Sequence, residues 1–417
     1  MRKISNLILI LILSIVVNIQ KVSAQQFASG ADVSWLTEME SAGKKFYSTD
    51  GIQTECMSLL QSYGMNAVRL RVWVNPANNW CNAADVLVKA RRASDLGMRI
   101  MINFHYSDSW ADPGKQFKPA AWAKLDLNGL KTAVANHTKE VLTLLKTNNI
   151  TPEWVQVGNE TGNGMLWETG KASVSMANYA ALTNAGYDAV KEIFPSAKVI
   201  VHVQNGYDNG LFLWLFDGLK KNGGKWDVIG MSLYPGWYTI KNDWAAANKA
   251  CLANMNDMVS RYNKEVMIVE CGMSWDMAGA CKNFLTDLIT KTKSVSNGKG
   301  LGVFYWEPQA YGKWNGYTLG AFDYSGNPTV ALDAFKNSTG IETQPENGLK
   351  ILYSKATESI KFSETLKSVS IINSEGKIIL IHENTNNLST QQLSAGIYVV
   401  KAATHSGEKL NRKIVIY

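Results

Sequence analysis

Long apolar segments are scarce in this sequence of 417 residues, and cysteine and histidine occur only five times each. After residue 24 no stretch is long and apolar enough to cross a bilayer, so we expect no stable insertion into a membrane. No two cysteines have the spacing of zinc ligands, and the histidines are scattered along the chain. The sequence therefore gives no support to metal catalysis, and we expect neither a metal nor a cofactor.

The net charge is modest. It is +7 for the full chain and +4 once Arg2, Lys3 and Lys21 are removed with the N-terminal segment. No basic run interleaved with aromatic residues occurs, so we expect no nucleic-acid partner. No glycine-rich phosphate loop follows the first predicted strand, which argues against a nucleotide-binding sheet.

Residues 1–24 have the pattern of a signal peptide. Arg2 and Lys3 supply the charged start, residues 4–17 the apolar run, and Val22-Ser23-Ala24 the small-residue cleavage site. The apolar run is short for a retained membrane anchor, so we expect cleavage and export.

Export permits disulfide bonds, but an odd number of cysteines leaves at least one unpaired. We expect Cys271 to stay free, because it follows a candidate catalytic residue on a buried strand. The other four cysteines allow three connectivities, and the sequence does not choose between them.

Short apolar runs rich in β-forming residues alternate with helical patterns from Gly30 to about Lys336. The candidate strands are Gly30–Trp35, Asn66–Trp73, Arg99–Tyr106, Trp154–Glu160, Val199–Gln204, Val228–Tyr234, Val266–Glu270 and Gly302–Trp306. The candidate helices between them include Ala83–Leu96, Leu127–Thr147, Ser173–Ile193 and Asp243–Tyr262. This alternation predicts an α/β protein with a (β/α)8 TIM barrel, and a doubly wound open sheet is the competing interpretation.

Several predicted strands become polar where they end. Asn159 and Glu160 end the fourth strand, and Glu270 ends the seventh. The carboxyl ends of barrel strands form the active-site face, and polar groups are costly to bury there without a function. The fourth and seventh strands face each other across the mouth, so Glu160 and Glu270 are the candidate catalytic pair of a retaining glycosidase, one as acid/base and one as nucleophile. Asn159 is placed to bond the sugar hydroxyl next to the anomeric carbon.

The composition changes near Asn337. Residues 338–347 are polar and contain Pro345, which is typical of a linker, and residues 348–417 have an all-β pattern. Ser368–Ile372 and Lys377–Ile381 flank a hairpin turn, and Ile397–Ala402 and Leu410–Ile416 flank another. We therefore expect a catalytic domain over residues 25–337 and a small sandwich-like β domain after the linker.

The motifs at the predicted strand ends resemble those of a known family. They are Gly30-Ala31-Asp32-Val33-Ser34, Arg69-Leu70-Arg71-Val72-Trp73-Val74-Asn75-Pro76, Asn103-Phe104-His105-Tyr106-Ser107-Asp108, Ala111-Asp112-Pro113-Gly114-Lys115-Gln116, Gln156-Val157-Gly158-Asn159-Glu160 and Tyr305-Trp306-Glu307-Pro308. These runs are similar to glycoside hydrolase family 53, the endo-β-1,4-galactanases, over essentially the whole barrel. The Asn-Glu pair alone would indicate only the wider clan of retaining barrel hydrolases.

The resemblance implies a role for eleven residues. Glu160 matches the acid/base and Glu270 the nucleophile. The positions expected at the central sugar subsite are Asp32, Arg71, His105, Asn159, Tyr234 and Trp306, and those expected at neighbouring galactose units are Asp112, Lys115 and Asn205. Three alternatives stay open: Arg71 holds Glu270 ionised through a charge-assisted hydrogen bond, His105 is a satisfied barrel-end histidine, and Trp306 covers the core.

The sequence departs from the family pattern at two places. Gln204 stands where an aspartate is frequent, and Cys271-Gly272-Met273 follows Glu270. Some bacterial members carry an acidic, calcium-binding loop after the seventh strand. Here that loop is the short segment 274–279, with too few oxygen ligands for calcium, so we predict no calcium there.

The C-terminal residues also resemble a known module. The run 393–400, Leu-Ser-Ala-Gly-Ile-Tyr-Val-Val, and the closing run 413–417 are similar to the sorting domain of type IX secretion. The competing interpretation is a carbohydrate-binding β-sandwich, but the tail has no tryptophan to stack on sugar. The resemblance implies export through the periplasm to the cell surface or medium by a secretion machinery that recognises this domain.

Together these resemblances predict endo-hydrolysis of β-1,4-galactan, the type I arabinogalactan of pectin, with retention of configuration. We expect a monomer whose partner is this polysaccharide. The alternatives are a clan relative acting on mannan, xylan or glucan, and a non-catalytic sugar-binding barrel. The presence of both carboxylates argues against the last, because binding alone does not require them.

Overall fold

The structure is a computed structural model that describes residues 26–336, 351–354, 358–373, 376–394, 396–407 and 409–416. The predicted signal peptide and the predicted linker lie outside the described residues. In the described part of the chain, every helix is too short or too polar to cross a membrane.

Eight parallel strands close into a barrel in sequence order, as predicted. The strands are β1 (Ala28–Asp32), β2 (Ala67–Val72), β3 (Arg99–Phe104), β4 (Trp154–Val157), β5 (Lys198–Val203), β6 (Val228–Leu233), β7 (Glu265–Cys271) and β8 (Gly300–Trp306). The helices are α1 (Leu36–Ser41), α2 (Cys56–Ser62), α3 (Ala83–Asp95), α4 (Leu127–Thr147), α5 (Met176–Ile193), α6 (Asn209–Lys221), α7 (Trp244–Tyr262), α8 (Ala278–Lys293) and α9 (Asp333–Lys336). The closed barrel excludes the doubly wound open sheet.

Side-chain caps set where the long helices begin. Ser175 accepts a hydrogen bond from the backbone N–H of Asn178, and Asp243 accepts one from Ala246. These residues are therefore N-caps rather than helical residues, which is why α5 and α7 begin at Met176 and Trp244, slightly later than predicted.

The barrel interior is apolar at one end and polar at the other. An inner cluster, separate from the shell between strands and helices, contains Ala28, Ala67, Met101, Trp154, Ile200, Val228, Met267, Val269, Leu301 and Phe304. Side chains alternate along a strand, so the residues two positions later also face the axis, and these include Arg69, Asn103, Gln156 and His202. All four are buried. Polar side chains therefore already occur within the strands, in the layer of the barrel interior below its mouth.

A register shift in β7 turns Glu270 towards the axis. Met231 pairs with Ile268, but the next residue of β6, Ser232, pairs with Glu270. Val269 belongs to the inner cluster, and strict alternation would point Glu270 outwards. The extra residue lets both Val269 and Glu270 face inwards, which is how a bulge re-aims a side chain.

The C-terminal strands form an antiparallel sheet. They are β9 (Ile351–Ser354), β10 (Ser359–Asn373), β11 (Ile378–Ser389), β12 (Gly396–Thr404) and β13 (Lys409–Ile416), in the order β11-β10-β12-β13 with β9 also pairing β10. Both predicted hairpins are present as the pairs β10–β11 and β12–β13. The start of β10 pairs β9 and its second half pairs β12, with register breaks between. The all-β expectation for the tail is confirmed.

All five cysteines lie among the described residues, and all five are free and buried. Cys271 is free as expected. The other four form no disulfide bond either, so the three connectivities that the sequence allowed do not apply. Each thiol is packed in the barrel core or its surroundings, where burial raises the pKa of Cys251 and Cys281 to about 12.

Candidate active site

The turn after β4 presents Glu160. The strand ends at Val157 rather than at Glu160, because Gly158 and Glu160 both have left-handed backbone conformations, with φ of 85° and 47°. A side chain at residue 158 would come within 2.5 Å of Thr161, so glycine is required there. A left-handed glutamate is uncommon, and such residues concentrate at functional sites.

Glu270 is held by two groups on neighbouring strands. Its Oε1 lies 2.7 Å from Nη2 of Arg69, and the Tyr234 hydroxyl donates to its Oε2 at 3.2 Å. Burial raises the pKa of Glu270, and Arg69 and Tyr234 oppose that rise by stabilising the carboxylate. Of the two facing glutamates, Glu270 is therefore the one whose ionised form is stabilised by a direct ion pair.

Arg69 joins the strand-end residues into one network. Besides Glu270 it binds Asp32 Oδ2 at 2.7 Å and donates to Asn159 Oδ1 at 2.8 Å. Asp32 is fully buried, is not among the residues that line the cleft, and orients Arg69 through their ion pair. Asp32 pairs with Arg69 in the register of β1 and β2 and is fully buried, so the structure does not place it in the cleft wall, where the sequence predicted it.

Arg71 does not bind Glu270, so that alternative is wrong. Its guanidinium lies 3.3 Å from Glu307 and stacks over Trp110 and Trp73, at 4.2 Å and 4.7 Å from the ring centres. The two arginines are two residues apart on β2 and point to the same face, and Arg69 rather than Arg71 contacts Glu270. Arg71 is 1% exposed, is not among the residues that line the cleft, and packs against the aromatic side chains of its wall.

Glu160 has the environment of a proton donor. Burial, followed by the charge of Glu270, raises its pKa to about 8, while hydrogen bonding from Ser232 and the charge of Arg69 lower it. At least one oxygen of Glu160 lies within 4.8 Å of an oxygen of Glu270. Two carboxyls this close cannot both ionise readily, so one is protonated at neutral pH. The contacts of Glu270 with Arg69 and Tyr234 leave that proton on Glu160.

A cleft with a volume of about 810 Å³ runs past both carboxylates. Its wall carries Trp35, Trp73, Trp80, Trp110, Trp237, Trp306 and Tyr317, together with His105, Asn159 and Tyr234. A second cavity of about 410 Å³ adjoins Glu160 but not Glu270, and Asp112, Gln204, Asn205, Tyr207, Ser232, Tyr234 and Trp237 line it. Flat, amphipathic rings beside hydroxyl-binding groups suit a sugar chain.

His105 and Trp306 lie where the sequence placed them, at the cleft. His105 accepts a hydrogen bond on Nδ1 from the Ala111 backbone at 3.1 Å, and burial and Arg71 hold its pKa well below the usual range. The imidazole is therefore neutral and bears its hydrogen on Nε2. Trp306 packs against Trp35 and Tyr317 at the edge of the main apolar core and also lines the cleft, so its position fits both a sugar platform and a cover for the core.

Of the three residues expected at neighbouring sugars, two line the cavities and one does not. Asp112 lines both cavities and Asn205 lines the second one. Lys115 lines neither; its ammonium lies 3.3 Å from Asp112, and the backbones of the two residues exchange hydrogen bonds. Lys115 is therefore positioned to orient Asp112. The departure at Gln204 has a local role, since its side chain accepts a hydrogen bond from the Gly162 backbone at 3.2 Å.

Sequence reasoning missed four buried polar residues of the site: Arg69, His202, Ser232 and Glu307. The family motifs contain Arg69 and Glu307, but the resemblance implied a role for neither. A signal did exist, because Arg69, His202 and Ser232 are polar residues at inward-facing positions of otherwise apolar strands. Their partners, however, lie on other strands.

One group of side chains has the geometry for a metal: Glu160, His202 and Glu270 each offer an atom within 4.8 Å of the others. Both His202 nitrogens already have hydrogen-bond partners, Nδ1 with the Glu160 backbone and Nε2 with Ser232. Glu270 is likewise paired with Arg69, so the cluster suits proton chemistry better than metal binding. After β7 the chain makes one short turn, Trp275–Met277, and enters α8. The lack of calcium at this loop stays a prediction.

A (β/α)8 barrel whose mouth holds two facing glutamates in an aromatic cleft defines a barrel glycoside hydrolase. Residues 28–335 match the sequence model of glycosyl hydrolase family 53, and the chain belongs to that family. It is therefore a glycoside hydrolase. Residues 354–417 match the secretion system C-terminal sorting domain.

Two relatives and one solved structure show the extent of the similarity. An arabinogalactan endo-beta-1,4-galactanase of Thermothelomyces thermophilus is 32% identical over 306 residues, 67% of this chain and 88% of the relative. A protein of Niallia circulans, named only as an uncharacterized protein in the bgaB 5′ region, is 31% identical over 361 residues, 77% of this chain and 96% of the relative. A solved structure from a study of two fungal beta-1,4-galactanases has 30% identity and a TM-score of 0.70, covering 75% of this chain and 99% of the other.

Proposed function

We propose that this enzyme cleaves internal β-1,4-galactosidic bonds of arabinogalactan with retention of configuration. The observation that carries the proposal is that one oxygen of Glu160 lies within 4.8 Å of one oxygen of Glu270, in a family whose named relatives are galactanases. Retaining enzymes hold their carboxyls about 5–5.5 Å apart, whereas inverting enzymes need roughly 6.5–9.5 Å to admit a water molecule. The short separation favours retention.

In the first step Glu270 attacks the anomeric carbon and the glycosidic bond breaks, while Glu160 gives its proton to the leaving oxygen. In the second step Glu160 takes a proton from water, whose oxygen attacks the same carbon and displaces Glu270. Arg69 and Tyr234 keep Glu270 ionised for the attack, and burial keeps Glu160 protonated until the leaving oxygen needs the proton.

The two cavities give the bound chain a direction. The leaving group must lie beside the acid and the attacked sugar beside the nucleophile. The larger cavity therefore holds the sugars that stay on the enzyme, and the smaller one, next to Glu160 alone, receives the leaving chain. Asn159 donates one amide hydrogen to Ala111, which leaves its second hydrogen for the hydroxyl next to the reacting carbon.

The C-terminal tail is proposed to act in the secretion of this enzyme. We propose that residues 1–24 direct the chain to the periplasm, that residues 25–337 form the catalytic domain, and that residues 348–417, after the linker, address a secretion machinery. The match of residues 354–417 to a sorting domain supports this division. The mature enzyme would then act as a monomer at the cell surface or in the medium.

The substrate is tested with purified enzyme on a panel of polysaccharides. Reducing ends should appear rapidly with lupin or potato β-1,4-galactan and hardly at all with mannan, xylan or cellulose. Proton NMR of early time points should show the β-anomer of the new reducing end before mutarotation. Comparable rates on mannan or xylan would reject the substrate, and an initial α-anomer would reject the mechanism.

A further inference from the structure

Behind Glu160 lies a buried chain of hydrogen bonds that ends at one of its two carboxyl oxygens. Ser232 donates to Oε1 of Glu160 at 2.6 Å, and His202 Nε2 lies 2.7 Å from the Ser232 hydroxyl. His202 is fully buried and Ser232 is 1% exposed. Both side chains project from their strands towards the barrel axis.

The polarity of this chain follows from the backbone. Nδ1 of His202 lies 2.8 Å from Nε2 of Gln156 and 3.2 Å from both the Glu160 amide N–H and Oδ1 of Asn159. The two N–H groups can only donate, and Asn159 Oδ1 already accepts from Arg69, so Nδ1 is an acceptor without hydrogen. Burial and Arg69 hold the pKa of His202 well below the usual range, so the ring is neutral. Its single hydrogen is therefore on Nε2, and it donates to Ser232.

The Ser232 hydroxyl can then donate its hydrogen to only one of its two described partners. Among the described residues its only other hydrogen-bond partner is His202, which already acts as the donor. Its own hydrogen consequently points to Oε1 of Glu160. An oxygen that accepts this bond is not the protonated one, so the acidic hydrogen of Glu160 belongs on Oε2.

We propose that His202 and Ser232 are positioning residues that assign the transferable proton to Oε2 of Glu160 in both steps of the reaction. This inference rests on the proposed role of Glu160 as the acid/base. In the first step the proton passes from Oε2 to the leaving oxygen. In the second step Oε2 recovers a proton from water, and neither Ser232 nor His202 gains or loses one overall.

Substitution of Ser232 should separate this role from simple support of the fold. In Ser232→Ala the proton can occupy either oxygen, and the carboxyl can rotate away from the leaving group. We expect kcat/KM on a galacto-oligosaccharide to fall roughly 10- to 100-fold, part of the contribution of a well-placed acid. A dinitrophenyl galactobioside needs almost no acid assistance in its first step, so its kcat/KM should fall less than about threefold.

The pH profile supplies a second readout. The ionisable groups around Glu160 are Glu270 on β7, Arg69 on β2, Asp112 after β3, His202 on β5 and Tyr234 on β6. The Ser232 hydrogen bond favours ionised Glu160, so its loss raises the pKa of Glu160. The basic limb of kcat/KM should therefore move to higher pH in Ser232→Ala. A basic limb that stays in place or moves down would overturn the proposal.

Two further variants control the experiment. Ser232→Thr keeps a hydroxyl and should restore the leaving-group ratio. Thr161→Val removes another buried hydroxyl, one that bonds Tyr179 and the His202 backbone but not Glu160, and should leave ratio and pH profile unchanged. Equal losses on both substrates in Ser232→Ala, or the same ratio as Thr161→Val, would contradict the inference.

Failure of the proposed function would give a different experimental result from failure of the hydrogen-bond chain. Wild-type enzyme that ignores galactan but cleaves aryl glycosides rejects the substrate, and the Ser232 test then runs on aryl leaving groups of increasing basicity. The loss in Ser232→Ala should grow with that basicity, and a constant loss would reject the hydrogen-bond chain. Circular dichroism shows whether Ser232→Ala folds. If it does not, Ser232→Cys replaces it, because a thiol has similar bulk and is a weak donor. Its loss in kcat/KM should also grow with leaving-group basicity, but less steeply.

Discussion

The mouth of the barrel and the C-terminal sheet bury different kinds of side chain. At the mouth four carboxyls and two guanidinium groups are buried or nearly so: Asp32, Glu160, Glu270, Glu307, Arg69 and Arg71. Where the burial of the C-terminal sheet is described, its buried polar side chains are only Ser359, Thr390 and Thr404, around an apolar cluster. Burying charge costs several kcal/mol per ion before pairing repays it.

The buried charges of the barrel mouth are explained by its chemistry, whereas the apolar burial of the C-terminal sheet serves folding alone. The sheet needs only apolar burial, and its edge strand β11 even leaves Ile378 and Ile381 at least half exposed. The barrel mouth instead holds four acids against two arginines, and burial raises the pKa of both Glu160 and Glu307 to about 8. Of these two, Glu160 lines the cleft, where its proton can be used.

The largest expected effect comes from removing either reacting carboxyl. Glu160→Ala and Glu270→Ala should each lose at least about 10³-fold in kcat on galactan, because each step needs a proton transfer or a covalent bond. With an activated aryl substrate, azide should rescue Glu160→Ala as a β-glycosyl azide and Glu270→Ala as an α-glycosyl azide. Glu168→Ala, at an exposed ion pair with Lys171, is the matched control and should be as active as the wild type. Identical azide products would show that the roles are wrongly assigned.

Removal of Arg69 should reveal the energetic cost of the buried charges. Arg69→Met leaves Asp32 and Glu270 without their shared cation, so the free energy of unfolding should fall by about 3–5 kcal/mol at neutral pH. The pKa of Glu270 should rise, and the acidic limb of kcat/KM should move to higher pH. Urea denaturation and a pH profile measure both. Arg261→Met, at an exposed pair with Asp257, should change stability little; equal losses would mean that the two environments do not differ.

The proton on Glu160 should be visible in the wild-type pH profile. The acid must be protonated to act, and its pKa is raised to about 8 by burial and by Glu270. The value of kcat/KM should therefore hold below that pH and fall about tenfold for each pH unit above it. Glu160→Gln, assayed with the dinitrophenyl substrate, should lack this basic limb. A limb near pH 5 in the wild type would place the proton on another group.

Deletion of the tail should have the smallest effect on the barrel. Each region has its own apolar cluster, and the catalytic carboxyls belong to the barrel. Removing residues 341–417 should leave kcat/KM and the melting temperature nearly unchanged, while enzyme accumulates in the periplasm of a host with type IX secretion. Truncated enzyme that still reaches the medium would refute the sorting role. Normal secretion with much weaker binding to galactan would indicate a carbohydrate-binding tail.

The sequence was sufficient for the barrel because its signals are local. The alternation of apolar strands with amphipathic helices required no knowledge of contacts, and the polar residues at strand ends followed directly from it. Glu160 and Glu270 could be chosen as a pair because a barrel places the ends of its fourth and seventh strands across the mouth. The hairpins of the tail were likewise readable from turn residues between β-rich runs.

Only the tertiary structure shows which of those residues form hydrogen bonds and ion pairs with one another. Arg69 and Arg71 are both inward-facing by alternation, and only the register of β2 against its neighbours shows that Arg69 meets Glu270. The register shift in β7 and the contacts of Ser232 with Glu160 and His202 likewise join separate strands. Sequence determines which chemical groups lie at each strand end, whereas strand register and burial determine which of them share a proton or a charge.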